Sequence, residues 1–582
     1  MRIPADLRRG STRETGRSEV GPTISERAHL DRSRRWSRAP SMRWLFRSFA
    51  ASRPNRPRRS QTLPARLCLG AAVLGIAMAQ TARGACESPV PGDSPTGEPA
   101  ACPTGFLVQS SPGQGRAATE GVSVPLQRGG AAPSDPPAAE GAPAIPATRV
   151  LPNVVLVSID TLRADHMSGY GYSRDTTPNL DAWAKGAVRF EQATAPANTT
   201  LPSHMSMFTS LRPEAHGVVD WDDPRKPRLA LAQQRATLAG RLASAGYETA
   251  AFVHQCVYMD PGSGLERGFD SYRVVDRDAY QTNDEAILPW VRQAHARPFF
   301  LFVHYYDVHS DWTRLPYDSP PRFASRFTAG YRGHFTGCGA GVCATRFLEW
   351  LDAHGARLAP GDLNYIEGLY DNGVAFTDSE VGRLLDALRG AGILDNSIVV
   401  VVGDHGEEFR EHGRFGHRTL HEGAIRVPWL VSWPGHLTPH AVQSPVTTLD
   451  LLPTLLQLLG LPEVAEAEGR SRVGELYGRA TDTEGALFSA IAAGSRLAVR
   501  RGRWKLILDY ASNRRELYDL DLDPGEKVNL APLEPKRADE LSVLIRTARS
   551  EDARLRSAAP PTAGLIPRAE EREKLQGLGY MR

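Results

Sequence analysis

Cysteine is scarce, with six in 582 residues, too few for disulfide bonds to be the main source of stability. Cys338 and Cys343 are close enough in sequence to bridge locally in an oxidising compartment. A lone pair lacks the second ligand pair that a structural zinc site needs, so the choice is between a small-loop disulfide and two free thiols. An excess of one charge is also missing, 69 Lys and Arg standing against 66 Asp and Glu. Much of the basic surplus sits in a first segment that includes Arg8, Arg9, Arg34, Arg35, Arg58 and Arg59. The remainder is balanced or mildly acidic and offers no footing for nucleic acid as a partner. The apolar run at 67–79 is too short to favour a bilayer span.

What is present is ample apolar material, 41% of residues, for one large core and a smaller appended one. The run at 67–79 follows arginines and ends among small residues such as Ala77 and Ala79, the layout of a secretory signal. Met42 offers an alternative start, so the basic extension 1–66 is expected to be absent from the mature protein. Residues 67–86 are the signal region, and Cys86 after Arg83-Gly84-Ala85 is a candidate lipid attachment point. Residues 87–148 are rich in Pro, Gly, Ala and Ser with few aromatics, a composition that cannot bury enough apolar surface to order itself. They read as a linker. The protein is therefore expected to be exported, to the periplasm, the exterior or a lipid-anchored place at the cell envelope. Any membrane contact would run through the signal or the lipid.

The folded part begins near Val150. Val154-Val155-Leu156-Val157-Ser158-Ile159 is largely apolar and β-branched, as in a strand covered on both faces of a parallel sheet, and it ends in Asp160. Ile398-Val399-Val400-Val401-Val402 ends in Gly403-Asp404-His405, and Phe299-Phe300-Leu301-Phe302-Val303 ends in His304 and Asp307. Three buried strands thus deliver polar groups at their carboxyl ends, where open α/β sheets hold ligands. Helical spacing at 230–245 and 381–391 lies between them. Strand–helix alternation predicts a doubly wound, mostly parallel α/β sheet with helices on both faces over 149–470. Shorter strand-like pieces, such as 503–508, and a turn at Asp523-Pro524-Gly525 predict a small C-terminal α+β subdomain over 471–582.

Four linked motifs follow one another within about sixty residues. They are Val157-Ser158-Ile159-Asp160-Thr161-Leu162-Arg163-Ala164-Asp165, Thr177-Pro178-Asn179-Leu180-Asp181, Thr200-Leu201-Pro202-Ser203-His204 and Arg212-Pro213-Glu214-Ala215-His216-Gly217. Gly403-Asp404-His405-Gly406-Glu407, Glu422-Gly423-Ala424-Ile425-Arg426-Val427-Pro428 and Glu516-Leu517-Tyr518-Asp519-Leu520 continue the pattern. In order and spacing the chain from 150 onward resembles the sulfatase family of the alkaline-phosphatase superfamily. The resemblance implies that fold and a metal-dependent hydrolysis of sulfate or phosphate esters, on small-molecule or glycan substrates.

The chemistry asks for a divalent cation to draw charge from the ester oxygens and to activate the attacking hydroxyl. Asp160, Asp404 and His405 are the natural ligands, and by resemblance Thr200 completes the set as nucleophile. The competing reading of Thr200 is a helix N-cap in a fold that has lost catalysis. Family members that use formylglycine open this motif with Cys or Ser and close it with Arg, where this chain has Thr200 and His204. Formylglycine is therefore not expected. The pattern is similar to the threonine-nucleophile branch, which implies a covalent phospho- or sulfo-threonine.

Thr161 stands where many sulfatases carry a further metal-binding aspartate, and His405 where asparagine is usual, so one manganese or zinc ion is favoured, with magnesium or calcium as alternatives. By resemblance His309 is the general acid and His417 takes the place of a substrate-facing lysine, while His204 closes the catalytic motif. His304 and His412 read as packing residues, and His254 as a lesser candidate. A second metal held by Asp307, His309 and His417 is a further alternative. Within enzymes the rival activity is a phosphoethanolamine- or phosphoglycerol-type transferase. Outside enzymes it is a catalytically silent binding protein with the same fold.

Overall fold

The computed structural model describes residues 151–564, apart from 220–227, 255–258, 276–277, 311–316, 318, 334–347, 349–350, 354–356, 480–484 and 492–493. The signal region, the linker, Cys86, Cys338 and Cys343 all lie outside the described residues.

The three apolar runs form adjacent strands at the centre of a nine-stranded sheet, Asn153–Ile159 lying between Phe299–Tyr305 and Ser397–Gly403 and parallel to both. Glu248–His254 and Ser271–Val275 extend the parallel sheet on one side. On the other side Arg426–Ser432 pairs antiparallel with both Ser397–Gly403 and Val188–Thr194, and His440–Val442 and Val446–Thr447 then pair parallel with Val188–Thr194. Arg426–Ser432 is thus the strand that runs against its neighbours.

Alternation along each strand sends side chains into two cores. Leu156, Phe302 and Val400 meet the helices Thr200–Thr209, Leu238–Ser244 and Leu451–Leu459 on one face. Val155, Val157, Leu301 and Val401 meet the helix Pro360–Gly390 on the other. This is the doubly wound α/β architecture, and both faces of the central strands are sealed because their residues are largely apolar on both sides.

Phe300, fully buried, stacks on Phe269 at 5.5 Å and lies 6.3 Å from Phe208. Phe300→Ala should cost about 3–5 kcal/mol of stability, read as a lowered urea midpoint.

Two expected helices differ in extent. The segment expected over 230–245 is helical only at Leu238–Ser244, because Thr237 caps the helix by accepting from Gly240 N at 3.0 Å and the chain before it is extended, Leu229–Ala230 pairing with Thr562–Ala563. The helix expected over 381–391 begins far earlier, at Pro360. Its glycines masked the pattern, and Gly373 is there for a reason: a Cβ would come within 2.8 Å of the Asp307 carbonyl, so only glycine lets the loop carrying Asp307 and His309 pack this closely.

The C-terminal part is a four-stranded antiparallel sheet, Leu487–Ala490, Arg496–Arg501, Trp504–Asp509 and Arg514–Asp519, covered by the helix Pro535–Ala558. Val499, Leu506 and Leu517 face Leu541 and Ile545 of that helix, while Ala498, Ile507 and Tyr518 join the large core.

Candidate active site

Strand register brings the site together. Ile159 is level with both Tyr305 and Gly403, so Asp160 and Asp404 leave adjacent strands side by side. The Thr161 amide donates to Asp404 Oδ1 at 3.1 Å and the His405 amide to the same oxygen at 2.7 Å, fixing that carboxylate. Thr161 takes a φ of +52°, strained for a β-branched residue, and so turns the chain sharply after Asp160.

Thr200 is the first residue of the helix Thr200–Thr209, whose ten residues are all buried. Thr199 occupies the cap position, which leaves the Thr200 hydroxyl free to face Asp160 Oδ2 at 3.3 Å and His405 Nε2 at 3.4 Å. The positive end of the helix dipole points at the same spot and favours an anion.

Asp160, Asp404 and His405 are fully buried, and one ligand atom from each lies within 4.8 Å of the others. His405 Nε2 is 3.5 Å from Asp160 Oδ1 and 3.7 Å from Asp404 Oδ2. Both of those oxygens are buried without a hydrogen-bond partner among the described residues, an arrangement that is costly unless a cation sits between them. His405 Nδ1 lies 3.0 Å from the Gly406 carbonyl, which can only accept, so the ring presents the Nε2 lone pair to the centre. This donor set fits a divalent ion.

Charge points the same way. Burial drives the Asp404 carboxyl well above its usual range, and the negative Asp160 beside it adds to the effect. Burial pushes Asp160 up too, but the contact with His304 and the charges of His309 and His405 outweigh it and hold the group low. Burial, helped by His417, pushes His405 down to about 3, which keeps its imidazole neutral, as a metal ligand must be.

The histidines divide by what they touch. His309, buried, stacks on Tyr306 at 4.6 Å, and its Nδ1 is 2.7 Å from the Ser310 carbonyl. His417 sits with its ring 4.6 Å from His405 and 5.3 Å from His309, its Nδ1 held by Glu407 Oε2 at 2.8 Å. Burial, with His309 contributing, lowers His417 to about 3.

His204 lies deeper. Its Nδ1 meets the Thr200 carbonyl and its Nε2 the Ser158 hydroxyl, both at 2.8 Å, and its ring is fully buried. With both nitrogens engaged it braces the first turn under Thr200.

Three residues belong to the site without having been assigned a role from sequence. His304, read as packing, has Nε2 3.3 Å from Asp160 Oδ2. Glu407 links His417 to the Tyr317 hydroxyl, which donates to its Oε1 at 2.8 Å. Asn198 donates from its side chain to the His417 carbonyl. Glu407 is the last residue of the Gly403-Asp404-His405-Gly406-Glu407 motif and was open to notice; Asn198 carries no local signal.

Of the residues considered for a second metal, Asp307 Oδ2 pairs with His254 Nδ1 at 2.8 Å, and Asp307, His309 and His417 do not gather as a three-ligand group among the described residues.

A doubly wound sheet that delivers carboxylates and imidazole from its strand ends to a hydroxyl at a helix N-terminus is the layout of the alkaline-phosphatase superfamily of hydrolases. Within it the chain belongs to the sulfatase family, whose model matches residues 152–461, and a model described as N-sulphoglucosamine sulphohydrolase, C-terminal, matches residues 410–543. It is 27% identical to arylsulfatase A of Homo sapiens over 65% of this chain and 83% of that one. It is 22% identical to an N-acetylgalactosamine-6-O-sulfatase of Bacteroides thetaiotaomicron over 69% and 93%. In fold it matches the phosphonate monoester hydrolase of Agrobacterium radiobacter, with a TM-score of 0.54 and 21% identity over 69% of this chain and 96% of that one. The protein is a sulfatase-family hydrolase.

Proposed function

We propose that the enzyme hydrolyses sulfate or phosphate esters through a covalent intermediate on an unmodified Thr200. The observation that carries this reading is the Thr200 hydroxyl itself, 3.3 Å from Asp160 Oδ2 and 3.4 Å from His405 Nε2. Asp160, Asp404, His405 and Thr200 would hold one divalent cation, manganese or zinc by the mixture of oxygen and imidazole donors. When bound, that cation supplies Lewis-acid charge for the ester oxygens and for activation of the hydroxyl.

In the first step Thr200 Oγ1 forms a bond to sulfur or phosphorus and gives up its proton towards Asp160 Oδ2, behind which His304 stands at 3.3 Å. The bond to the leaving oxygen breaks with its electron pair, and His309 protonates that oxygen. In the second step water attacks the same centre, His309 takes the water's proton, and the bond to Oγ1 breaks as Thr200 takes its proton back from Asp160. His204 serves as a positioning residue, and His417, held by Glu407, faces the ester.

Paired aryl phosphate and aryl sulfate substrates test the reading. Phosphate esters should turn over at least as well as sulfate esters, since a free hydroxyl lacks the easy sulfate release of an aldehyde hydrate. Exclusive sulfatase activity would overturn it. His309→Ala should lose roughly 10²–10⁴-fold on esters with poor leaving groups and far less on a nitrophenyl ester, which leaves without a proton.

Among the described residues no helix is long and apolar enough to cross a membrane. Export rests on the 67–79 run, and mature protein from the native host should begin after Ala79, or at Cys86 if lipidated, as N-terminal sequencing will report.

A further inference from the structure

A second group of donors stands apart from Thr200. Glu408, His412 and His421 each present one ligand atom, all within 4.8 Å of one another. The two imidazoles stack at 3.5 Å with 10° between their planes. His412 Nδ1 is 2.5 Å and His421 Nδ1 3.8 Å from the same oxygen, Glu408 Oε1.

The other atom of every donor is already committed. His412 Nε2 is 3.2 Å from the Glu526 carbonyl, which can only accept. His421 Nε2 is 3.2 Å from Glu516 Oε2. Glu408 Oε2 accepts from the Thr419 hydroxyl at 2.8 Å. A histidine whose Nε2–H is donated to a carbonyl or carboxylate offers a bare Nδ1 lone pair, and this outer arrangement is what orients metal-ligating imidazoles. Here both Nδ1 atoms face one carboxylate oxygen, and a bound cation would take the place of the proton in the His412–Glu408 contact. His421 Nδ1 is buried with no hydrogen-bond partner among the described residues, on a side chain nine-tenths buried.

We propose that Glu408, His412 and His421 form a second, structural zinc site. Two imidazoles and one carboxylate suit zinc, and partly exposed His412 leaves room for a water as fourth ligand. At zinc bond lengths of ~2.0 Å the donors stand roughly 3.3 Å apart. Closing on the ion asks the His412–Glu408 contact to open from 2.5 Å to that separation, with a small tilt of the stacked rings. The ion would tie the loop that follows the catalytic strand Ser397–Gly403 to the C-terminal sheet, since Glu516 lies on Arg514–Asp519 and Glu526 just beyond it.

The test is a zinc titration of the full chain stripped by chelator. Wild type should take up two equivalents, and His421→Gln one, with turnover retained and a lowered melting temperature. Equal zinc uptake by wild type and His421→Gln overturns the site and leaves a hydrogen-bonded imidazole–carboxylate cluster. Should His421→Gln fail to fold, zinc X-ray absorption on Asp404→Ala answers instead, because the zinc it retains is then the one at Glu408. That spectrum should show two imidazole nitrogens, whereas one or none overturns the proposal. The catalytic reading stands or falls separately, on the zinc lost by Asp404→Ala.

Discussion

Thr200→Ala should remove nearly all turnover, on the order of 10⁵-fold, while substrate binding stays close to that of the wild type. That is the signature of an interaction made in the transition state, and loss of a nucleophile costs this much because no neighbour can take over its bond. The hydroxyl is the one group of its side chain turned towards Asp160 and His405. Its removal leaves the helix Thr200–Thr209 in place, because the brace from His204 runs to the Thr200 backbone carbonyl. Thr200→Ser keeps the oxygen and should retain partial activity. Intact-mass measurement across Thr200 should show no aldehyde. A Thr200→Ala protein with full turnover would put the nucleophile elsewhere.

Asp404→Ala should lose one equivalent of bound metal together with its activity. Asp404 and Asp160 are buried side by side, and their two unpartnered oxygens converge on His405 Nε2 at 3.7 and 3.5 Å. Without a cation, burial and then the neighbouring Asp160 raise the Asp404 carboxyl well above its usual range. The expected fall in rate is on the order of a thousandfold, the equivalent of several kcal/mol of charge stabilisation. Elemental analysis of the purified variant reads the metal directly. Unchanged stoichiometry would contradict the assignment even if activity fell.

Much of this was legible in the chain before any coordinates. Runs that are almost wholly apolar, such as 154–159 and 398–402, do not suit a half-exposed sheet, so they announce buried parallel strands and locate Asp160, Asp404 and His405 at strand ends. The order and spacing of the motifs around Thr200 carried the family. These signals are local, and each is written in consecutive residues.

What remained depended on contacts between residues far apart in sequence. His304 reads as one more core residue until register sets Phe299–Tyr305 beside Asn153–Ile159 and turns its ring to Asp160. His204 fits the motif as a catalytic group, yet the parity of the adjoining strand places Ser158 under it and engages its second nitrogen. The helix Pro360–Gly390 hid behind glycines whose purpose is the close approach of a distant loop. Glu408, His412 and His421 look like loop polar residues until Glu516 and Glu526 arrive from the C-terminal part to fix their rings. The sequence by itself therefore determined the strands, the family and the groups at the strand ends, because hydrophobic periodicity and motif spacing are properties of neighbours along the chain. Only the tertiary structure decided which way each imidazole is turned and which carboxylate it faces, because those depend on partners far apart along the chain, as for His405 and Asp160, which leave different strands.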